Sequence, residues 1–379
     1  VEPAPAELRR LGHVPSLDSL RAVAVLLVLV AHLAAILPVG GFDARFSRSG
    51  FLGVDLFFVL SGFLITSILL QEQHRHDRIR LAQFYARRAL RLLPALVFLF
   101  VVYGIYSQAT DWPPFGRRDF FFDNVEATAL YYMNWRVLWN PLGAADMTAI
   151  WSLSIEEQFY LVWPFALAAF LGWRHPTRRV VVALTVGAVV VSLWRAVVFQ
   201  RWGWEAAYLR TDTRIDGLLW GALAASLFAR GLTPRRLPRW TPAAAALVGA
   251  VALVVVKGDR GTAYFGGISA WVLASCALVL YLASDPERWS TGTLADISQR
   301  IGRVSYGLYL WQLPAFRAIS RWGDSWPAPV RTLAGLALLV GCTLTSWFLV
   351  EQPVLRAKRR LQDRWEQRRS PTPAATTTT

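Results

Sequence analysis

The sequence predicts an all-α, polytopic membrane bundle of about ten transmembrane helices with both termini cytoplasmic. Of its 379 residues, 55% are hydrophobic and the mean hydropathy is +0.36, too apolar for an ordinary soluble domain of this length. Separate apolar runs repeatedly approach the roughly 20 residues that crossing a bilayer requires. Of the 40 Lys and Arg, 25 fall in the terminal segments and alternate connections and 10 in the opposite connections, the bias that positive-inside topology demands.

In order, the runs lie at 17–38, 51–70, 91–108, 149–171, 179–199, 212–229, 241–256, 264–283, 303–320 and 329–350. No cleavable leader pattern precedes the first, so it is expected to be a span. The stretch 120–140, FFFDNVEATALYYMNWRVLWN, is aromatic but charged and bounded by Pro141, and it is read as a re-entrant or interfacial outer segment. After the last run, VLRAKRRLQDRWEQRR reads as an amphipathic helix on the inner surface, followed by a low-complexity tail. The organisation is therefore a cytoplasmic segment 1–16, a transmembrane unit 17–353 and a basic cytoplasmic tail 354–379.

The net charge of +15 first suggests nucleic acid, but topology accounts for it, and no nucleic-acid partner is expected. Cys276 and Cys342 both sit in apolar stretches, so neither a disulfide framework nor a metal cluster is expected. The 18 Trp and 26 Gly suit interfacial belts and close helix packing.

Charged side chains inside spans cost at least about 2.5–3.5 kcal/mol each and so mark candidate functional positions. On the first run, Arg21 and His32 are eleven residues apart. That is close to three turns, which places both on one face about 16 Å apart. Arg21 falls at the inner end and His32 toward the outer end.

At the outer depth lie Glu156 and Glu157 of WSLSIEEQFYLVWP, expected level with His32, and Asp212, Arg214 and Asp216 of RTDTRIDGLLWG. Tyr306, Tyr309, Trp311 and Gln312 follow on SYGLYLWQLP, and Asp55 and Ser61 on GVDLFFVLSGFL. Each has a purely structural reading: Asp212, Arg214 and Asp216 can pair with one another, Ser61–Gly62 can permit close helix approach, and Tyr and Trp can form a belt. Their convergence at one depth favours a site. At the inner mouth, Arg87, Arg88 and Arg91 of FYARRALRLLP form a guanidinium cluster suited to gripping phosphate oxygens.

The strings LDSLRAVAVLLVLVAHL, GFLGVDLFFVLSGFLIT, FYARRALRLLP, WSLSIEEQFYLVWP, RTDTRIDGLLWG, SYGLYLWQLP and VEQP, in this order from about Leu17 to Pro353, resemble the acyltransferase-3 family of membrane O-acyltransferases. The resemblance implies transfer of an acyl group, usually acetyl, from cytoplasmic acyl-CoA to an acceptor hydroxyl at or beyond the outer face of the inner (plasma) membrane. By motif, His32 matches the family's essential His, Arg21 its partner, Arg88 and Arg91 the Arg-x-x-Arg element, and Glu156 the acidic position of the Trp-Ser-Leu motif. Many members have His where this chain has Gln312, which can act only as a hydrogen-bonding group. The sequence closes without the esterase-like domain fused to some members, so acceptor handling by such a domain is not expected.

The expected arrangement places acyl-CoA, as acetyl-CoA, against Arg87, Arg88 and Arg91, with no metal. His32 is the proton acceptor or a covalent acyl carrier, oriented by Glu156 or Glu157. Arg21 binds the donor or holds its helix at depth. Asp55, Ser61, Asp212, Arg214, Asp216, Tyr309, Trp311 and Gln312 are the candidate acceptor-binding side chains. The expected partners are membrane lipid and a surface or lipid-linked glycan. A macrolide or other glycosylated metabolite is the alternative acceptor. The competing class, a transporter or lipid flippase, calls for internal repeats and a midplane site, and no repeat is visible.

Overall fold

A computed structural model describes residues 9, 11–37, 49–109, 118–172, 176–234 and 237–357, and among them all regular structure is helical. Six helices are long and apolar enough to cross a membrane: Pro15–Ile36, Leu52–His76, Leu81–Ala109, Thr177–Leu209, Ala263–Ser284 and Ala328–Ala357. The four remaining sequence runs also fold as helices, over Trp151–Leu171, Asp216–Ala229, Thr241–Val255 and Ser305–Trp322. The chain is a multi-pass membrane protein.

In chain order the helices are α1 (Pro15–Ile36), α2 (Leu52–His76), α3 (Leu81–Ala109), α4 (Arg118–Ala129), α5 (Met133–Trp139), the single turn α6 (Pro141–Ala144) and α7 (Trp151–Leu171). There follow α8 (Pro176–Leu209), the turn α9 (Thr211–Arg214), α10 (Asp216–Ala229), α11 (Thr241–Val255), α12 (Ile268–Ser284), α13 (Thr293–Arg303), α14 (Ser305–Trp322) and α15 (Ala328–Ser346). A 3-10 turn, Ala145–Ile150, leads into α7, and a π-turn, Trp347–Glu351, follows α15.

Burial sorts these helices. The apolar window of α2 is 78% buried, against 22% for α3, so α2 is the central helix and α3 a peripheral one. The outward side chains of α3, α8 and α15, among them Val97, Ile105, Leu193 and Leu333, are apolar and exposed, as lipid contact requires. The crossing of α2 and α10 is close because a Cβ on Gly62 would meet the Leu218 carbonyl, and one on Gly221 the Val59 carbonyl. Gly62 thus has the packing role its sequence neighbourhood allowed.

The segment 120–140 forms two short helices, α4 and α5, broken at Tyr131, which has φ +58°. At about 1.5 Å per residue neither reaches across the hydrocarbon layer. Asn134 on α5 is fully buried and donates to the Leu209 carbonyl and to Thr211, which anchors the segment to the end of α8. Of the C-terminal amphipathic stretch, residues up to 357 are helical and the rest lie outside the described residues.

Candidate active site

The site begins at α1, where Arg21 and His32 share one face. His32 Nδ1 is 2.9 Å from Gln312 Oε1 on α14. The Gln312 amide is itself fixed, because its Nε2 donates to the Tyr309 carbonyl at 3.1 Å and the side chain is fully buried. With the amide nitrogen so engaged, its oxygen faces the imidazole, so Nδ1–H donates and Nε2 keeps its lone pair. The group that orients His32 is therefore Gln312, not Glu156 or Glu157. Gln312 supplies tautomer control without the negative charge of a carboxylate.

Tyr309, one turn before Gln312, donates its hydroxyl to the Ala149 carbonyl at 2.7 Å and accepts from Ser152 at 2.7 Å. These bonds register α14 against the start of α7. Along α3, Tyr85 and Arg88 meet Tyr160 and Glu157 of α7 in falling order, while Leu92 and Phe98 meet Tyr306 and Trp311 of α14 in rising order, so α7 and α14 run antiparallel. Gln312 thus lies one turn from Tyr309 in one direction while Glu156 lies one turn from Ser152 in the other. Glu156 is consequently about 10 Å from the level of His32 along the bundle. The expectation that His32, Glu156 and Glu157 share a depth is overturned by this register.

The acidic pair belongs to the Arg21 end. Glu157 is ion-paired and hydrogen-bonded to Arg88, whose guanidinium lies 3.6 Å from the centroid of the Tyr160 ring. Glu156 accepts from Ser61 at 3.0 Å and from Tyr160 at 3.1 Å. The physical reason is that α3 begins at Leu81, ten residues before the apolar run that marked it, so Arg88 already stands inside the bundle. A buried charge there requires a partner.

Arg87 turns away and pairs with Glu72 at 3.0 Å. Arg91 makes no ion pair with a described residue, lies in the fields of Arg21 and Arg88, and is exposed. Among the described residues, Arg21 is ion-paired only with Asp18, at 3.7 Å. Within this arginine cluster, Arg91 is therefore the member without an ion pair to a described residue, with Asp18 and Glu351 as the nearby carboxylates.

Three of the expected acceptor-binding residues are taken up in internal pairs. Arg214 and Asp55 meet at 2.7 Å, and Arg195 and Asp216 at 2.6 Å, all four essentially inaccessible. Asp216 also accepts from Ser192, and Arg195 donates to Ser269. Since unpaired buried charges are prohibitive, Asp55, Arg214 and Asp216 tie α2, α8, α9 and α10 together, while Asp55 Oδ2 and Arg214 Nε and Nη1 have no hydrogen-bond partner among the described residues. Asp212 is held by Arg210 and by the Trp194 indole. Trp311 is buried on α14, packed edge-on against Phe98 of α3.

Sequence reasoning did not assign a further cluster beside His32. Asp146, in the 3-10 turn, is buried and accepts from Tyr103 and from Arg321 through both carboxylate oxygens, with Arg317 at 3.3 Å. Arg317 follows Gln312 by five residues on α14, which puts this cluster within two turns of the His32–Gln312 pair. Arg317 inside an apolar run was the available signal, and Asp146 fell in a segment read only as a connection.

Residues 14–351 match the acyltransferase-3 family, described as an acyltransferase domain. The chain belongs to the acyltransferase-3 family. Among curated relatives of this acyltransferase-3 chain, the peptidoglycan O-acetyltransferase OatA of Listeria monocytogenes is 31% identical over 320 residues, covering 80% of this chain and 49% of that protein. The putative peptidoglycan O-acetyltransferase YrhL of Bacillus subtilis is 31% identical over 373 residues, covering 90% and 55%. The O-acetyltransferase OatA of Staphylococcus aureus is 29% identical over 315 residues, covering 80% and 50%. The chain thus spans about half the length of the curated relatives it matches. No solved structure matches it.

Proposed function

We propose that this chain is a membrane O-acetyltransferase that takes acetyl from acetyl-CoA at its Arg21–Arg91 end and delivers it to a hydroxyl of a cell-wall glycan at its His32 end. The observation that carries this reading is the His32–Gln312 pair, which leaves Nε2 as a base about three turns, or 16 Å, along α1 from Arg21, near which Arg91 of α3 stands without an ion pair to a described residue. An extended pantetheine arm can span that length. The relatives' printed names, peptidoglycan O-acetyltransferases, support the acceptor class.

In this reading the Arg91 and Arg21 guanidiniums bind donor phosphates, while Arg88 is held by Glu157 as a fixed wall of the same mouth. At the other end Nε2 of His32 removes the acceptor hydroxyl proton as its oxygen bonds to the thioester carbonyl carbon. The C–S bond then breaks, and the departing thiolate takes the proton back from the imidazolium. Transfer through a His32-acyl intermediate uses the same geometry in two steps.

The test is to incubate the purified, reconstituted protein with radiolabelled acetyl-CoA and peptidoglycan fragments and to measure free CoA and label on the glycan. Equal release of both is expected, and a folded protein that releases neither contradicts the reading. Gln312→Leu frees the imidazole to rotate and change tautomer, so kcat falls about 10²-fold with KM for acetyl-CoA unchanged. Arg91→Gln removes charge-assisted hydrogen bonds worth about 1.5–3 kcal/mol, which raises KM for acetyl-CoA roughly 10- to 100-fold and leaves kcat near its original value. Initial-rate kinetics against donor concentration separate the two effects.

A further inference from the structure

Trp311 presents an anomaly that the preceding reading leaves unused. Its side chain is 3% exposed, yet the indole Nε1 is buried and has no hydrogen-bond partner among the described residues. Buried donors in folded proteins are almost always satisfied, and an unmet one costs stability unless something else recovers the loss. From Tyr306 to Gln312 the other polar side chains are engaged: Tyr306 with the Leu92 carbonyl, Tyr309 with Ala149 and Ser152, and Gln312 with His32.

The location gives the unmet donor a use. Trp311 directly precedes Gln312, so its backbone stands within about 1.5 Å, along the axis, of the residue that holds His32. Its ring packs against Phe98, with centroids 5.8 Å apart. Phe98 follows Arg91 by seven residues, close to two turns, and so lies on the same face of α3 about 10 Å further along. The Arg91–Phe98 stripe of α3 and the Arg21–His32 stripe of α1 thus run in the same direction from the arginine mouth, and Trp311 stands where they reach the level of the imidazole.

We propose that the Trp311 indole N–H is a catalytic hydrogen-bond donor that receives the carbonyl oxygen of the acyl group while His32 Nε2 handles the proton. As the acceptor oxygen bonds to the carbonyl carbon, the C=O π electrons move onto that oxygen, and the N–H stabilises the developing charge. When the C–S bond breaks, the carbonyl re-forms and the indole keeps its proton throughout. A fixed neutral donor is suited to this, because it is placed for charge that exists only in the transition state and needs no reorganisation. The inference rests on the acyl-transfer reading above.

The experiment compares wild type, Trp311→Phe and protein carrying the benzothiophene isostere of Trp311, in which sulfur replaces N–H without loss of shape. Each is assayed with radiolabelled acetyl-CoA and peptidoglycan fragments, and each is melted in detergent. The expected result is a loss of kcat of about 10²–10³-fold in both variants with KM for acetyl-CoA unchanged, while the isostere melts at or above the wild-type temperature. Wild-type turnover by the isostere overturns the inference alone and leaves the acyl-transfer reading standing. A melting temperature lowered in the isostere with turnover intact also overturns it, by showing that the N–H is structural. Absence of transfer by folded wild-type protein overturns the reading and the inference together.

Discussion

His32→Ala is expected to lower acetyl transfer by at least about 10²–10⁴-fold while leaving expression, membrane insertion and melting temperature close to wild type. The expectation follows from what the side chain does in the structure. His32 is half-buried and, among the described residues, makes one side-chain hydrogen bond, to Gln312. Its removal therefore strips the site of its proton acceptor without opening a tightly packed core. Gln312 loses a partner but keeps its bond to the Tyr309 carbonyl, so α14 stays registered. Turnover by reconstituted His32→Ala within a few-fold of wild type would contradict the catalytic assignment. Loss of activity accompanied by loss of folded protein is distinguished from it by the melting curve.

The second large effect concerns stability. Arg195→Met is expected to destabilise the protein by about 3–5 kcal/mol, because it leaves Asp216 buried without its ion-pair partner. Ser192 alone then satisfies that carboxylate, and the Arg214–Asp55 pair stands too close by to be indifferent to it. Replacing both members, as Arg195→Met with Asp216→Leu, removes the uncompensated charge and is expected to recover most of the loss. Melting in a single detergent, across the two single variants and the double, provides the cycle. Equal melting temperatures for Arg195→Met and wild type would show that the pair does not tie α8 to α10.

The bundle was legible in the sequence wherever hydropathy alone decides structure. Each apolar run became a helix, and the stretch 120–140, set apart by its charges and Pro141, folds as parts of two short helices. The shared face of Arg21 and His32 was also legible, since it depends only on a spacing of eleven along one helix. Depth across helices was not. Reading α3 from its apolar run placed its start near Arg91, whereas the helix begins at Leu81, and this displaced Arg88 relative to Glu157. Polar, helix-forming residues such as those of LAQFYARR extend a helix without raising its hydropathy.

Pairings across the bundle were equally out of reach. His32 and Gln312 are 280 residues apart, and Asp55 and Arg214 are separated by 159. A single sequence states which charges must find partners but not which partner each finds. Sorting by depth grouped the outer polar residues into one site, and the structure divides them. The His32–Gln312–Tyr309–Ser152 chain is one network, Glu156 and Glu157 join the arginine mouth, and Asp55, Arg214, Arg195 and Asp216 form an internal brace.

The central claim is directional, that acetyl enters at the arginine end of the bundle and leaves at the His32 end. The most direct measurement reconstitutes the protein in one orientation in sealed vesicles, supplies radiolabelled acetyl-CoA only to the face bearing Arg21 and Arg91, and places peptidoglycan fragments only at the opposite face. Label is predicted to appear on the glycan across the membrane, to depend on His32 and Arg91, and to vanish when donor and acceptor compartments are exchanged. Label transferred equally well from either face, or only when donor and acceptor share one compartment, would contradict the account.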